Sequence, residues 1–280
     1  VIEIVESYGG LTLPVVGNIK PWQATFFLVG LPGIVIGLVF FLTIKDPPRT
    51  GLQSDGTAGY SIAQVRGYIG EHKRSFTAHY LGFGVLALAM FGLLSWAPAY
   101  LIRVYEMSAK EVGIYLGLTV LFANSAGTLA SGWLTDWYTR RGHDDAPLRS
   151  GIVGGVGLII PTVLFSSMSG FTASLAMLAA AFFFASFPVA TSATGLQLMA
   201  PNQMRAQVTA LFFLAMNLFG ITGGATLVAL ATDYLFKDPM AVGYSMSLIC
   251  SIAGAIGAFV LWWGLKAFSQ TARSVTQAAT

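Results

Sequence analysis

Charge is what this sequence most lacks. Only 10% of its 280 residues are Asp, Glu, Lys or Arg while 55% are hydrophobic, and the mean hydropathy is +0.70. A water-soluble domain of ordinary surface-to-volume ratio could not be solvated on that balance. Cysteine is nearly absent as well. Cys250 stands alone inside an apolar run, which excludes a disulfide framework and a Cys-x-x-Cys metal or redox site. His72, His79 and His143 are far apart and form no His-Glu-x-x-His pattern, so neither a metal nor a cofactor is expected. The Lys and Arg residues build no aromatic-interleaved basic face, which argues against nucleic acid as a partner despite a net charge of +3. Nucleophile–base pairs are lacking too, so no enzyme is expected. Residues 1–20 lack a basic leader, and Glu3, Glu6 and Gly9-Gly10 interrupt their apolar residues; they read as a loop and not as a cleavable signal.

Long apolar runs are abundant. About 20 residues at 1.5 Å rise span roughly 30 Å of hydrocarbon, and seven stretches qualify: Trp22–Ile44, Thr77–Val104, Glu111–Thr135, Ser150–Ser169, Thr172–Met199, Met204–Tyr234 and Ala241–Phe268. The runs are continuous, not alternating, which excludes a β-barrel. The fold class expected is therefore an all-α, polytopic membrane helix bundle of seven transmembrane helices, with the lipid bilayer as its solvent. Basic residues alternate between loop classes. Lys45, Arg49, Arg66, Lys73, Arg74, Arg140, Arg141, Arg149, Arg205, Lys266 and Arg273 fall on one side, and only Lys20, Arg103, Lys110 and Lys237 on the other. The richer side reads as cytoplasmic, with Val1 outside and Thr280 inside.

Four regions follow: residues 1–44, an external loop and one helix; 45–76, a cytoplasmic linker with a short amphipathic helix carrying Ile62, Val65 and Ile69 on one face; 77–268, a six-helix bundle; and 269–280, a cytoplasmic tail. The chain starts with Val, and an upstream part is expected to be missing. Small residues such as Gly127, Gly154, Gly155, Gly220, Gly224 and Gly257 are placed for close helix contact.

Polar groups at mid-membrane depth carry the functional signal, because an unpaired one is costly in lipid and tends to face a cavity. Asn124 and Asn217 sit near the middle of their spans, with Thr191, Thr194 and Gln197 in the inner half of another. Their amides and hydroxyls suit a polar or carboxylate-bearing organic solute; interhelical hydrogen bonding is the competing role. Trp96 and Tyr100 offer stacking surfaces or belt residues. No ionisable side chain is expected deep in a span. At the end of the third span, Gly132-Trp133-Leu134-Thr135-Asp136 runs into Arg140-Arg141, setting an acid and two bases where a contact could break and reform between states.

That last segment resembles the Gly-x-x-x-Asp … Arg-Arg loop motif of the major facilitator superfamily, with Trp137 where a basic residue is usual and Thr139 where a glycine is. Ala200-Pro201-Asn202-Gln203-Met204-Arg205, continuing to Asn217-Leu218-Phe219-Gly220, Gly224 and Asp233, is similar to spinster-like members, although Ala225 replaces a typical proline. Pro21-Trp22-Gln23-Ala24-Thr25-Phe26-Phe27, Gly30-Leu31-Pro32-Gly33 and Asp46-Pro47-Pro48-Arg49 look like that group's sixth helix and its exit. The resemblance implies helices six to twelve of a twelve-helix carrier, a partner N-terminal half outside this chain that holds any coupling acid, and a gate role for Gly132, Asp136, Arg140, Arg141 and Arg205. It implies alternating-access, proton-linked transport of small organic or amphipathic solutes, expected in a bacterial inner membrane. A seven-helix membrane receptor shares the topology and is the alternative; Lys266 lies too near the span's end for a retinal Schiff base.

Overall fold

The computed structural model describes residues 11–13, 17–45 and 60–279. The chain divides into two compact units, one through Thr50 and one from Gly51. In the first, strands β1 (Leu11–Leu13) and β2 (Gly17–Ile19) pair antiparallel, with Leu11 opposite Ile19 and Leu13 opposite Gly17. The loop expectation is corrected here: three residues per strand are too few for alternation to register in a sequence. Helix α1 (Pro21–Thr43) follows, with proline in its first turn and the Gln23 side chain accepting from the Lys20 backbone N–H at 2.9 Å. The expectations for residues 1–10 and for Asp46-Pro47-Pro48-Arg49 lie outside the described residues.

The second unit starts with the short helix foreseen in the linker. Helix α2 (Ile62–Glu71) begins with a capping box: Gln64 N–H donates to the Ser61 hydroxyl, and the Gln64 side chain accepts from Ser61 N–H at 2.8 Å. Of its expected apolar face, Val65 is buried but Ile62 is 84% exposed. Tyr68 latches the helix down by donating to the Met199 carbonyl at 2.7 Å. Burial first, and Glu71 second, push that phenol up to about 12, so it stays a donor.

Six membrane-length segments then run back and forth: α3 (Lys73–Tyr105), α4 (Ala109–Arg140), α5 (Ala146–Phe165), the pair α6 (Phe171–Ala185) and α7 (Phe187–Met199), the segment Asn202–Phe236 holding α8 (Arg205–Asn217) and α9 (Gly224–Leu230), and α10 (Val242–Ala279). With α1 they make seven helices long and apolar enough to cross a membrane among the described residues. Two spans depart from a plain rod. The fifth breaks at Ser186 because Pro188 has no N–H to give, and the Ser186 and Ser192 hydroxyls donate back to the Phe183 and Pro188 carbonyls. The sixth carries a π turn over Leu218–Gly223, where Gly224 lies so close to Leu88 and Gly92 of α3 that a methyl there would collide with backbone. The region read as a tail from residue 269 continues as helix through Ala279.

The bundle centres on α3, α5 and α10. One apolar cluster gathers Tyr100, Leu158, Phe165, Phe182 and Met246 at one end of the spans, and another gathers Phe76, Phe83, Leu148, Phe212 and Phe268 at the other. Gly155 and Gly254 let α5 and α10 approach until backbone meets backbone; in lipid such dispersion contacts replace the hydrophobic drive that holds soluble helices together.

Candidate substrate face and gate

Helix α7 has a buried side and a bare one. Thr191, Ser192, Gly195, Leu196 and Met199 turn inward, while Thr194 and Gln197 are exposed. The helix is flanked by α4 and α8, and α8 ends at Asn217, also exposed. Thr194 and Asn217 bond only to carbonyls four residues back on their own helices, at 3.0 and 2.7 Å; Gln197 has no hydrogen-bond partner among the described residues. An amide held against hydrocarbon is costly, so this strip calls for water, solute or more protein against it.

Beside the strip, a cleft of about 490 Å³ is lined by Asn124, Ser125, Thr128, Leu129, Ser186 and Val189. Its geometry starts at Gly127: a Cβ there would strike the Phe183 carbonyl and the Ser186 hydroxyl, so only glycine lets α4 lie against the broken corner between α6 and α7. The close approach sets Asn124, one turn earlier, at the mouth of the break. Its Oδ1 is buried and has no hydrogen-bond partner among the described residues. Native proteins rarely leave such an atom unmet, which makes Asn124 a candidate ligand contact. The sequence had flagged Asn124 but not Ser125, Thr128 or Ser186; the Ser-Phe-Pro break was the available signal.

The remaining candidates lie elsewhere. Tyr100 is corrected from a stacking surface to a core cross-link: it is 1% exposed, its hydroxyl donates to the Phe165 carbonyl at 3.1 Å and lies 2.8 Å from Ser174 Oγ. Gly243 leaves the room its ring fills. Trp96 is partly buried, its indole N–H donates to the Ala225 carbonyl at 2.9 Å, and the Arg103 guanidinium lies 5.8 Å from its ring. Thr191 is buried and donates to the Phe187 carbonyl. No hydrogen bond or ring contact joins any two of the seven cavity candidates.

The expected acid–base gate is not assembled. Asp136 is exposed and makes no ion pair among the described residues. Arg141 instead stacks on Trp137 with its guanidinium 3.7 Å from the ring centre, so the tryptophan at the motif's usual basic position acts as a cation–π partner. Arg140 is exposed, Gly132 faces open space, and Arg205 Nε donates to the Ala200 carbonyl at 3.2 Å, just past the end of α7. Ion pairs do form nearby, from the next two acids: Asp145 with Arg149 at 2.6 Å, and Asp144 with Arg273 of α10. No group of three or more His, Cys, Asp or Glu suited to a metal occurs among the described residues.

Buried among aromatics is a residue that the reading of the spans passed over. His79, in the second turn of α3, is fully buried against Phe83 and Phe212. Its Nε2 lies 2.9 Å from the Ser192 carbonyl. A carbonyl can only accept, so Nε2 carries the hydrogen, and Nδ1 is left without a partner. His79 lies near the end of its span, so it does not touch the expectation that no ionisable group sits deep in one.

A bundle of this shape has known relatives. The model of the Major Facilitator Superfamily matches residues 4–225. The chain belongs to that superfamily. Within the superfamily it is 26% identical over 264 residues to an "MFS-type efflux pump" of Mycolicibacterium smegmatis (strain ATCC 700084 / mc(2)155), covering 91% of this chain and 58% of that protein. It is also 26% identical over 141 residues to a "Probable L-galactonate transporter" of Escherichia coli (strain K12), covering 46% of this chain and 30% of that one. Among solved structures, the bacterial homolog to human lysosomal transporter Spinster, in an inward-facing and unoccupied conformation, matches with a TM-score of 0.58 at 18% identity, over 99% of this chain and 64% of that chain. At that identity the likeness is one of fold. The chain thus spans 58% and 30% of the curated relatives it matches. Nothing in these comparisons supports the receptor alternative.

Proposed function

We propose that this chain is the C-terminal portion of a secondary carrier that moves small organic or amphipathic solutes across a bacterial inner membrane by alternating access. The carrying observation is the polar strip of Thr194, Gln197 and Asn217 beside the unmet Asn124 Oδ1: a wall of a pathway that a second helical half completes. Carriers of paired repeats hold solute near the bilayer midplane at such an interface and rock around it. In this reading Asn124 and Gln197 orient the solute through amide hydrogen bonds, Trp96 borders the far end, and Asp136, unpaired here, closes against the other half in a different state.

Its test is solute counterflow into liposomes that contain the complete native protein, with and without an imposed proton gradient, the latter comparison separating proton-linked from facilitated movement. Gln197→Ala with Asn217→Ala is expected to cut uptake about tenfold or more at unchanged protein level. A current independent of solute, or loss of folded protein in step with loss of uptake, would overturn the reading.

A further inference from the structure

At the basic end of the bundle, where α3 begins and α10 passes it, a cleft of about 600 Å³ lies apart from the polar strip. Lys73, Arg74 and Lys266 line it, against one carboxylate, Glu71, with Gln270 as a further donor and Ser274, whose hydroxyl donates to the Thr271 carbonyl, beside it. Ser75 and Thr271 close its floor with a hydroxyl–hydroxyl bond of 2.8 Å, both side chains buried. None of the three cations has an ion pair among the described residues. Two of them stand in the first turn of α3, directly after α2, with His72 as the cap residue between the two helices and no side-chain cap on α3. Three cations facing a single carboxylate leave the cleft with an excess of positive charge, which is a standing electrostatic cost.

The surface below the cleft says what kind of anion fits. Ile252, Ile256, Phe259, Trp263, Lys266 and Gln270 are spaced 3 or 4 residues apart on α10 and all exposed, so they form one continuous line along the helix. That line passes from aliphatic to aromatic to cationic. Arg74 crosses to it from α3, stacked 4.7 Å from the Trp263 ring and donating to the Trp263 carbonyl at 3.2 Å. A tryptophan marks headgroup depth, and the apolar residues beyond it lie at the depth of acyl chains.

We propose that this cleft and stripe hold one anionic phospholipid, its phosphate between Lys73 and Lys266 and its chains along Ile256 and Phe259. Basic pockets between membrane helices bind acidic headgroups, each Lys or Arg contributing about 1 kcal/mol near the surface. Phosphate alone would match the cations but not the stripe. The inference needs only that the chain spans a bilayer, so it stands or falls separately from the solute pathway.

The test counts bound lipid by native mass spectrometry on the purified full chain, titrated with dioleoyl phosphatidylglycerol, dioleoyl phosphatidylcholine, or inorganic phosphate. The parent should retain phosphatidylglycerol at least tenfold more tightly than phosphatidylcholine. Lys73→Gln with Lys266→Gln should weaken phosphatidylglycerol about 30-fold, or roughly 2 kcal/mol, and Lys73→Arg with Lys266→Arg should restore it, Arg74 being left on Trp263. Equal retention of both lipids overturns the proposal, as does undiminished phosphatidylglycerol binding in the glutamine pair, or inorganic phosphate that competes the lipid away at equal concentration. Should the glutamine pair fold poorly, the headgroup preference of the parent and of the arginine pair decides alone.

Discussion

The α5–α10 seam and the α4–α7–α8 face are made from the same kinds of residues and put them to opposite uses. In the most apolar stretch of α5, 50% of residues are buried, against 17% for α4. Both helices are rich in glycine. At the seam, Gly155 and Gly254 touch through their backbones; on α4, Gly113, Gly117 and Gly132 meet nothing within 4 Å. Small residues therefore do not define a contact by themselves. What separates the regions is the neighbour: the seam is finished within this chain, and the α4–α7–α8 face presents amides that lipid does not satisfy.

Alanine substitution breaks or sharpens that contrast most strongly. A Cβ at Gly155 would sit 2.8 Å from the Gly254 carbonyl, and forcing two packed helices apart typically costs up to about 3 kcal/mol. Gly155→Ala should therefore lower the folded fraction sharply in fluorescence-detected size exclusion, whereas Gly117→Ala should hold or gain up to about 1 kcal/mol from helix propensity. Equal loss at both sites would mean that α4 is also covered. Next in size is His79→Phe. The phenyl ring keeps the contacts to Phe83 and Phe212 but gives up the bond to the Ser192 carbonyl that ties α3 to α7. A loss of about 1 to 2 kcal/mol in thermal unfolding is expected; no change would show that ring packing alone holds that joint.

The seam was legible in the sequence and the face only partly so. Apolar length sets the number of spans, and glycine spacing set Gly155 and Gly224 at contacts, because both follow from local composition. The β1–β2 pair is too short to register as alternation, and the π turn at Leu218–Gly223 sits where Gly224 closes on α3, which no single span displays; the Ser186 break had Pro188 as its local signal. Tyr100 illustrates the limit: an aromatic near a helix end reads as a belt or stacking residue, and only the cavity over Gly243, with Ser174 and the Phe165 carbonyl around its hydroxyl, makes it core. Asn124 was visible by depth. Its unmet Oδ1 was not, since satisfaction belongs to the assembled site.

Asn124→Ala sharpens the contrast at the face itself. Because Oδ1 has no partner to lose, stability should change by less than about 0.5 kcal/mol, while solute affinity in the complete carrier falls several-fold. A drop in stability equal to the drop in affinity would return Asn124 to a packing role.

The smallest effects are expected at the charged end, where Asp136 and Asp144 can be set against each other. Asp144 pairs with Arg273, but their side chains are 39% and 67% exposed, and solvent screening limits such a pair to about 1 kcal/mol at most. Asp136 has no pair to lose among the described residues. Asp144→Asn should thus lower the unfolding midpoint slightly, by an amount that shrinks with added salt, and leave solute exchange unchanged. On the proposed gate role, Asp136→Asn should leave the midpoint alone and slow exchange in the complete protein, because the contact it would close belongs to another state. If the two variants behave alike in both assays, Asp136 is a solvated surface acid, and the gate belongs to a residue outside the Gly132–Arg141 turn.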